Sequence, residues 1–190
     1  KKGVIHRDLK PSNLLIRPEG DDAEERVKVV DFGLARLTDQ QGITKSGMIL
    51  GSPHCMAPEQ VRGEDVDART DIYSLGVLLF RGITGSYPFH GPTSAATMIA
   101  HLNQETPTFY SVAPDLQVPA GLEGVVRRCL EKEPAARFAD ISGLVKALEA
   151  CAGVPTDSFE SVDLEHSTVT RQLQKAHRRD TWRRWLPGVA

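Results

Sequence analysis

The stretch H-R-D-L-K-P-S-N at residues 6–13, continued by L-L-I at 14–16 and later by V-K-V-V-D-F-G at 27–33, constrains this chain more than any other feature. Two short apolar or β-branched runs follow a loop that gathers an acid, an ammonium group and an amide: Asp8, Lys10 and Asn13. The second run ends on another acid, Asp31, 23 residues after Asp8. Runs of this length bounded by Pro and Gly read as strands. The pattern therefore predicts a small hairpin carrying two polar loops.

The order and spacing of these residues resemble the catalytic loop and the metal-binding loop of the protein kinases. A lone D-F-G carries little weight, whereas H-R-D-L-K-x-x-N followed by D-F-G is specific. The resemblance implies ATP and Mg2+ as cofactors, with Mn2+ as an alternative metal, and protein Ser/Thr hydroxyls as acceptors. Asp8 then orients the attacking hydroxyl and accepts its proton, as a carboxylate can through one hydrogen bond. Lys10 supplies a compact positive charge to the transferring phosphate; a lysine there marks the Ser/Thr branch. Asn13 and Asp31 offer hard oxygen ligands to magnesium, one neutral and one charged. Arg7 resembles the arginine that pairs with a phosphorylated activation loop, and His6 an imidazole that braces the metal loop. Lys10, Asn13 and Asp31 together make up the expected nucleotide-facing set.

Lys1, Lys2, Gly3, Val4 and Ile5 lead directly into this loop, a point that falls in the middle of the family's domain. No G-x-G-x-x-G and no V-A-I-K strand is present among the 16 glycines and the apolar runs. The expected fold is α+β, mostly α: a kinase-like C-terminal lobe, helical with a small hairpin, without the N-terminal nucleotide-covering lobe. Residues 1–151 form this partial domain, and residues 152–190 a polar linker that becomes basic.

Further residues take roles by resemblance. Residues 17–26 read as a polar, acidic connector with turn chemistry at Pro18 and Gly20. Residues 34–58 resemble an activation segment, with Thr38, Thr44 and Ser46 as candidate phosphosites able to pair with Arg7. Its end, G-S-P-H-C-M-A-P-E at 51–59, sets Ser52 near Lys10 and puts Cys55 where relatives carry an aromatic. Residues 71–80 are apolar on nearly every face and predict a buried helix. Asp71 at its start is expected to hold the catalytic-loop backbone. Arg81 and Gly82 interrupt its apolar character. Glu59 is expected to form a buried ion pair with Arg137 from the late E-P-A-A-R-F motif.

Three stripes at helical spacing follow: Ala95, Met98, Ile99 and Leu102; Leu122, Val125, Val126, Cys129 and Leu130; Ile141, Leu144, Val145 and Leu148. Each reads as a core-facing helix side. The flavour of M-A-P-E-Q and D-I-Y-S-L-G-V-L-L is that of the bacterial receptor-type Ser/Thr kinases.

Composition adds limits. Charged residues at 25% and apolar ones at 40% are ordinary for a globular chain. The net charge of −2 argues against nucleic acid as a partner. Cys55, Cys129 and Cys151 are odd in number and lack ligand spacing, which suits reduced thiols and a cytoplasmic location. From residue 153 the chain turns hydroxyl-rich and then basic. Arg171, Lys175, Arg178, Arg179, Arg183 and Arg184 are interleaved with Trp182 and Trp185. This pattern reads as a linker or as a juxtamembrane segment facing anionic lipid, with a membrane anchor just beyond. The rival to an enzyme is a non-catalytic, kinase-derived interaction module. Retention of Asp8, Lys10, Asn13 and Asp31 together favours the enzyme.

Overall fold

The computed structural model describes residues 5–17, 26–31 and 52–153. A 3-10 turn at Pro11–Asn13 leads into β1 (Leu14–Arg17), which pairs antiparallel with β2 (Arg26–Val29). The register sets Leu14 against Val29 and Ile16 against Val27. Beyond the ladder the Val30 amide donates to the Asn13 carbonyl at 2.9 Å, so the two polar loops leave the same end of the hairpin.

The rest is helical: α1 (Pro58–Arg62), α2 (Ala68–Thr84), α3 (Ser94–Asn103), α4 (Phe109–Val112), α5 (Leu122–Cys129) and α6 (Ile141–Ala152). Side chains at the N-caps close several of these. Asp67 accepts from the Arg69 amide, Thr93 from that of Ala96, and Asp140 from that of Gly143. Each satisfies a donor that a helix start leaves free.

Helix α2 is the centre of the core. Tyr73, Val77 and Phe80 pack with Phe89, Ala100, Phe109, Val126 and Leu130. On its other side Ile72 meets Cys129, Phe138 and Leu144. Gly76 lets α5 approach closely, since a Cβ there would lie 2.5 Å from Cys129 Cβ. The helix does not stop at Arg81 and Gly82 but runs to Thr84, with Gly85 in the left-handed region at φ 78°. Arg81 is a good helix former, and its guanidinium lies 4.1 Å over the Tyr87 ring and donates to the Tyr87 hydroxyl.

The α5 stripe faces inward as expected, with Val126, Cys129 and Leu130 buried. In α6 Leu144 is buried, while Ile141 at the helix start is 51% exposed. The α3 stripe fails at two of its four positions, while Met98 and Leu102 are half-buried. Ala95 is exposed and Ile99 is 57% exposed, whereas Thr97, Ala100 and His101 face the core. The reason is that the polar residues find partners inside. The Thr97 hydroxyl accepts from the Gly91 amide at 3.0 Å, and His101 Nδ1 lies 2.8 Å from the Tyr73 hydroxyl, with Phe89 edge-on to the imidazole. A buried polar atom with a partner costs little, and of these atoms His101 Nε2 alone has none among the described residues.

Candidate active site

The 6–13 loop crosses the N-terminal part of α2 and is tied to it by one side chain. The amides of His6 and Arg7 both donate to the Asp71 carboxylate, at 2.7 and 2.9 Å. His6 is itself buried and reaches across the hairpin end, its Nε2 3.1 Å from the Val30 carbonyl. A carbonyl only accepts, so Nε2 carries the proton and Nδ1 is left to accept from the Asp8 amide at 3.4 Å. One imidazole thus links the loop holding Asp8 to the residue preceding Asp31. Two non-glycine residues in these loops have positive φ, Arg7 at 66° and Asp31 at 56°. Such conformations persist where the surroundings over-determine them.

Asp8 sits with one carboxylate oxygen, Oδ2, 2.7 Å from Lys10 Nζ. Its backbone carbonyl accepts from Asn13 Nδ2 at 2.9 Å. Asn13 is buried, and with its amide nitrogen so engaged its Oδ1 is the atom with lone pairs for a cation. Asp31 is exposed at the end of β2's extension, one residue past the Asn13–Val30 bond. Among the described residues no group of three or more His, Cys, Asp or Glu side chains could hold a metal. Two oxygens, one amide and one carboxylate, suit magnesium that arrives with most of its shell supplied by phosphate and water.

The cleft beside Asp8 is lined by Arg7, Leu9, Ser52, Cys55, Met56 and Gln60. Ser52 is therefore brought to the acid and opens the 3-10 turn Pro53–Cys55. Burial pushes the Cys55 thiol up to about 11, reinforced by the nearby Asp8 charge and opposed by Arg81 and Lys10. The Cys55 carbonyl accepts from the Ser74 hydroxyl of α2 at 2.7 Å.

Glu59 and Arg137 meet in the interior, joined by two parallel bonds of 2.8 Å. Arg137 spends its other three donors on the carbonyls of Arg69, Glu131 and Lys132. Thr70 adds a hydroxyl donor to Glu59 Oε1 at 2.7 Å. Burial opposes the Glu59 charge, but Arg137 and Thr70 outweigh it and hold the carboxyl below its usual range.

Two contributors escaped the sequence reading. Ser74 sits within an apolar run and gives no signal. Gln60 accepts from the Ala57 amide and donates to the Arg7 carbonyl. Its place three residues after the helix N-cap is the one available hint. Thr38, Thr44, Ser46, the Phe32 and Gly33 of the D-F-G, the 18–25 connector and the basic tail lie outside the described residues.

The chain matches the family model for the protein kinase domain over residues 1–149. It belongs to the protein kinase family. This kinase domain is 43% identical over 150 residues to the serine/threonine-protein kinase Pkn1 of Myxococcus xanthus, covering 78% of this chain and 21% of that protein. It is 38% identical over 152 residues to the serine/threonine-protein kinase pkn3 of the same organism, covering 78% of this chain and 28% of that protein. The serine/threonine-protein kinase PknL of Mycobacterium tuberculosis is also 38% identical over 152 residues, covering 80% and 36%. The chain thus spans between about a fifth and just over a third of the length of these relatives. The bacterial Ser/Thr flavour of the motifs agrees with their names.

Proposed function

We propose that this chain is the helical lower lobe of a protein serine/threonine kinase that uses ATP and Mg2+, with the nucleotide-covering lobe supplied from outside residues 1–190. The observation that carries the reading is the setting of Asp8. Its carboxylate opens onto a cleft, one oxygen rests on Lys10, and the backbone on both sides is fixed by other residues. Phosphoryl transfer asks a protein chiefly for placement and charge neutralisation. Asp8 accepts the proton of a Ser/Thr hydroxyl as that oxygen bonds to the γ-phosphorus and ADP leaves. Lys10 offsets negative charge on the transferring group, while keeping the Asp8 carboxylate aimed. Asn13 Oδ1 and Asp31 supply the protein oxygens for the metal. Bound magnesium–ATP contributes the phosphoryl group and the cation that neutralises it; Mn2+ has the same hard-oxygen preference.

Exposed apolar residues on the hairpin, Leu15 at 51% and Val27 at 59%, support a covering lobe. A two-stranded hairpin left bare is marginal in water. The division at residue 151 and the regulatory roles of Thr38, Thr44, Ser46 and Arg7 belong to the same proposal. So does a cytoplasmic location, with the basic 171–185 stretch against an anionic membrane surface. A peptide of that stretch should sediment with anionic vesicles at low salt and release at high salt; equal binding to neutral vesicles sinks that part.

The central test is transfer of labelled phosphate from ATP to Ser/Thr protein by the full-length protein that carries these residues. Asp8→Asn should lower turnover by roughly 10²–10⁴ with nucleotide affinity little changed. Parental turnover in that variant, or no transfer by the wild type, would leave the scaffold reading in its place.

A further inference from the structure

We infer that Gln60 is a positioning residue for the proposed reaction: its side-chain amide clamps the backbone beside Asp8 and so sets where the Asp8 carboxylate points. The inference rests on the kinase reading above, and goes beyond it by adding a residue to the machinery.

Arg7 is the hinge of the argument. Its φ of 66° is in the left-handed region, where a Cβ crowds the following carbonyl oxygen and L-residues are strained. Asp8 follows immediately, so the direction of its side chain depends on Arg7 keeping that conformation. The two peptide groups flanking Arg7 are held from different helices. On the N-terminal side the Arg7 amide donates to Asp71 Oδ1 of α2 at 2.9 Å. On the C-terminal side the Arg7 carbonyl accepts from Gln60 Nε2 of α1 at 2.8 Å. Asp71 alone fixes only one of these planes. Without Gln60, the 7–8 peptide keeps only the longer bond from the Asp8 amide to His6 Nδ1 at 3.4 Å, so it can rotate to relieve the strain at Arg7, and Asp8 turns with it.

The Gln60 amide is well placed to act as a clamp, because its other end is also held. Its Oε1 accepts from the Ala57 amide at 3.0 Å, at the N-terminus of α1. An amide N–H only donates and a carbonyl only accepts, so both partners demand the same orientation of the side-chain amide. Ala57 and Glu59 are buried, and Glu59 is locked to Arg137. The Arg7–Asp8 peptide is thereby referred through one side chain to the helix that carries the buried Glu59–Arg137 pair. Gln60 also lines the cleft that holds Asp8, so its effect is local to the reacting acid.

Two substitutions separate positioning from folding. Gln60→Glu keeps an acceptor for the Ala57 amide, and a carboxylate in the first helical turn is favourable there. It loses the donor to Arg7. Gln60→Met keeps the length and loses both bonds without adding charge. In the full-length protein both variants should lower kcat by about tenfold to a hundredfold, the cost of a small misplacement. KM for ATP should stay near the wild-type value. Only Gln60→Met should lower the melting temperature. Amide exchange at residues 7–9 should accelerate in both, a readout that needs no activity and so survives failure of the kinase reading. Wild-type kcat and wild-type exchange in Gln60→Glu overturn the inference. So does a kcat loss that appears only in Gln60→Met and tracks its melting temperature.

Discussion

Two ion pairs of nearly equal length lie in different parts of the fold and have opposite characters. Arg137 and Glu59 meet at 2.8 Å with side chains 0% and 3% exposed; Lys10 and Asp8 meet at 2.7 Å with side chains 28% and 24% exposed. The first is saturated. Every donor of Arg137 is used, and Thr70 takes part of the remaining capacity of Glu59. Such a pair can only hold α1, the start of α2 and the turn after α5 together. Among the described residues the second leaves Asp8 Oδ1 and two of the Lys10 protons uncommitted, and Asp8 lines a cleft. Distance alone does not distinguish a brace from a pair proposed to take part in the reaction. The distinction lies in unspent hydrogen-bonding capacity and access to water.

The largest expected effect comes from breaking the saturated pair. Arg137→Met removes the cation and leaves Glu59 buried with Thr70 alone, and should cost about 3–5 kcal/mol of unfolding free energy. The check is urea denaturation of the chain at neutral pH; a loss below about 1 kcal/mol would place this pair with the surface ones. Acid acts on the same pair. The folded Glu59 carboxyl titrates below its ordinary value, so its contribution is fully present above the unfolded range. It is lost as pH falls through the depressed folded value.

Opening the other pair should do the reverse. Lys10→Met should lower turnover by about 10²–10³, the usual worth of one charge-stabilising group. Its stability should stay within about 1 kcal/mol of wild type, as for exposed ion pairs generally. Turnover of phosphate transfer and a urea midpoint measured on the same preparation decide it. A variant that is active but unstable would exchange the roles assigned to the two pairs.

His101 supplies a third buried polar group, with a neutral partner in place of an ionic one. Burial first, and then the Lys132 charge, push the imidazole down to about 3. An unfolded imidazole takes up its proton near pH 6.5, so on acidification the unfolded state binds protons first. Stability should therefore fall with pH between about 6.5 and 3, at up to about 1.4 kcal/mol per pH unit. Urea midpoints at pH 7 and pH 5 should differ in the wild type, and the difference should shrink in His101→Asn. An unchanged difference would mean that His101 is not the group titrating.

The same contrast explains how far the sequence could be read. The hairpin follows from two short apolar runs, and the 6–13 loop and the Glu59–Arg137 pair from the motifs that carry the resemblance to the kinases. The α5 side was legible because Val126, Cys129 and Leu130 are apolar and nothing competes with them. The α3 side was not, because periodicity ranks Ile99 above Thr97 and His101 without knowing that Gly91 and Tyr73 wait inside. Helix α2 runs past its apolar stretch to Thr84, and Arg81 there finds the Tyr87 ring outside the helix. Gln60 was missed for a related reason. A side-chain amide bonding the backbone of a loop more than fifty residues away leaves no periodic trace.

The smallest expected effect sharpens the comparison most. A double-mutant cycle on Asp8 and Lys10, read in unfolding free energy, should give a coupling of only about 0.2–1 kcal/mol. The two charges keep contact with water, and fixing a lysine side chain offsets part of the attraction in entropy. Raising the ionic strength toward 1 M shortens the screening length to about 3 Å and should reduce this coupling further. The equivalent cycle on Glu59 and Arg137 should be several times larger and nearly indifferent to salt, because no ions reach a pair that is 0–3% exposed. The variants Asp8→Asn, Lys10→Met, Glu59→Gln and Arg137→Met, each alone and in its pair, supply both cycles. A salt-insensitive Asp8–Lys10 coupling as large as that of the buried pair would show that its bond is structural, and that Asp8 is not held ready for a substrate hydroxyl.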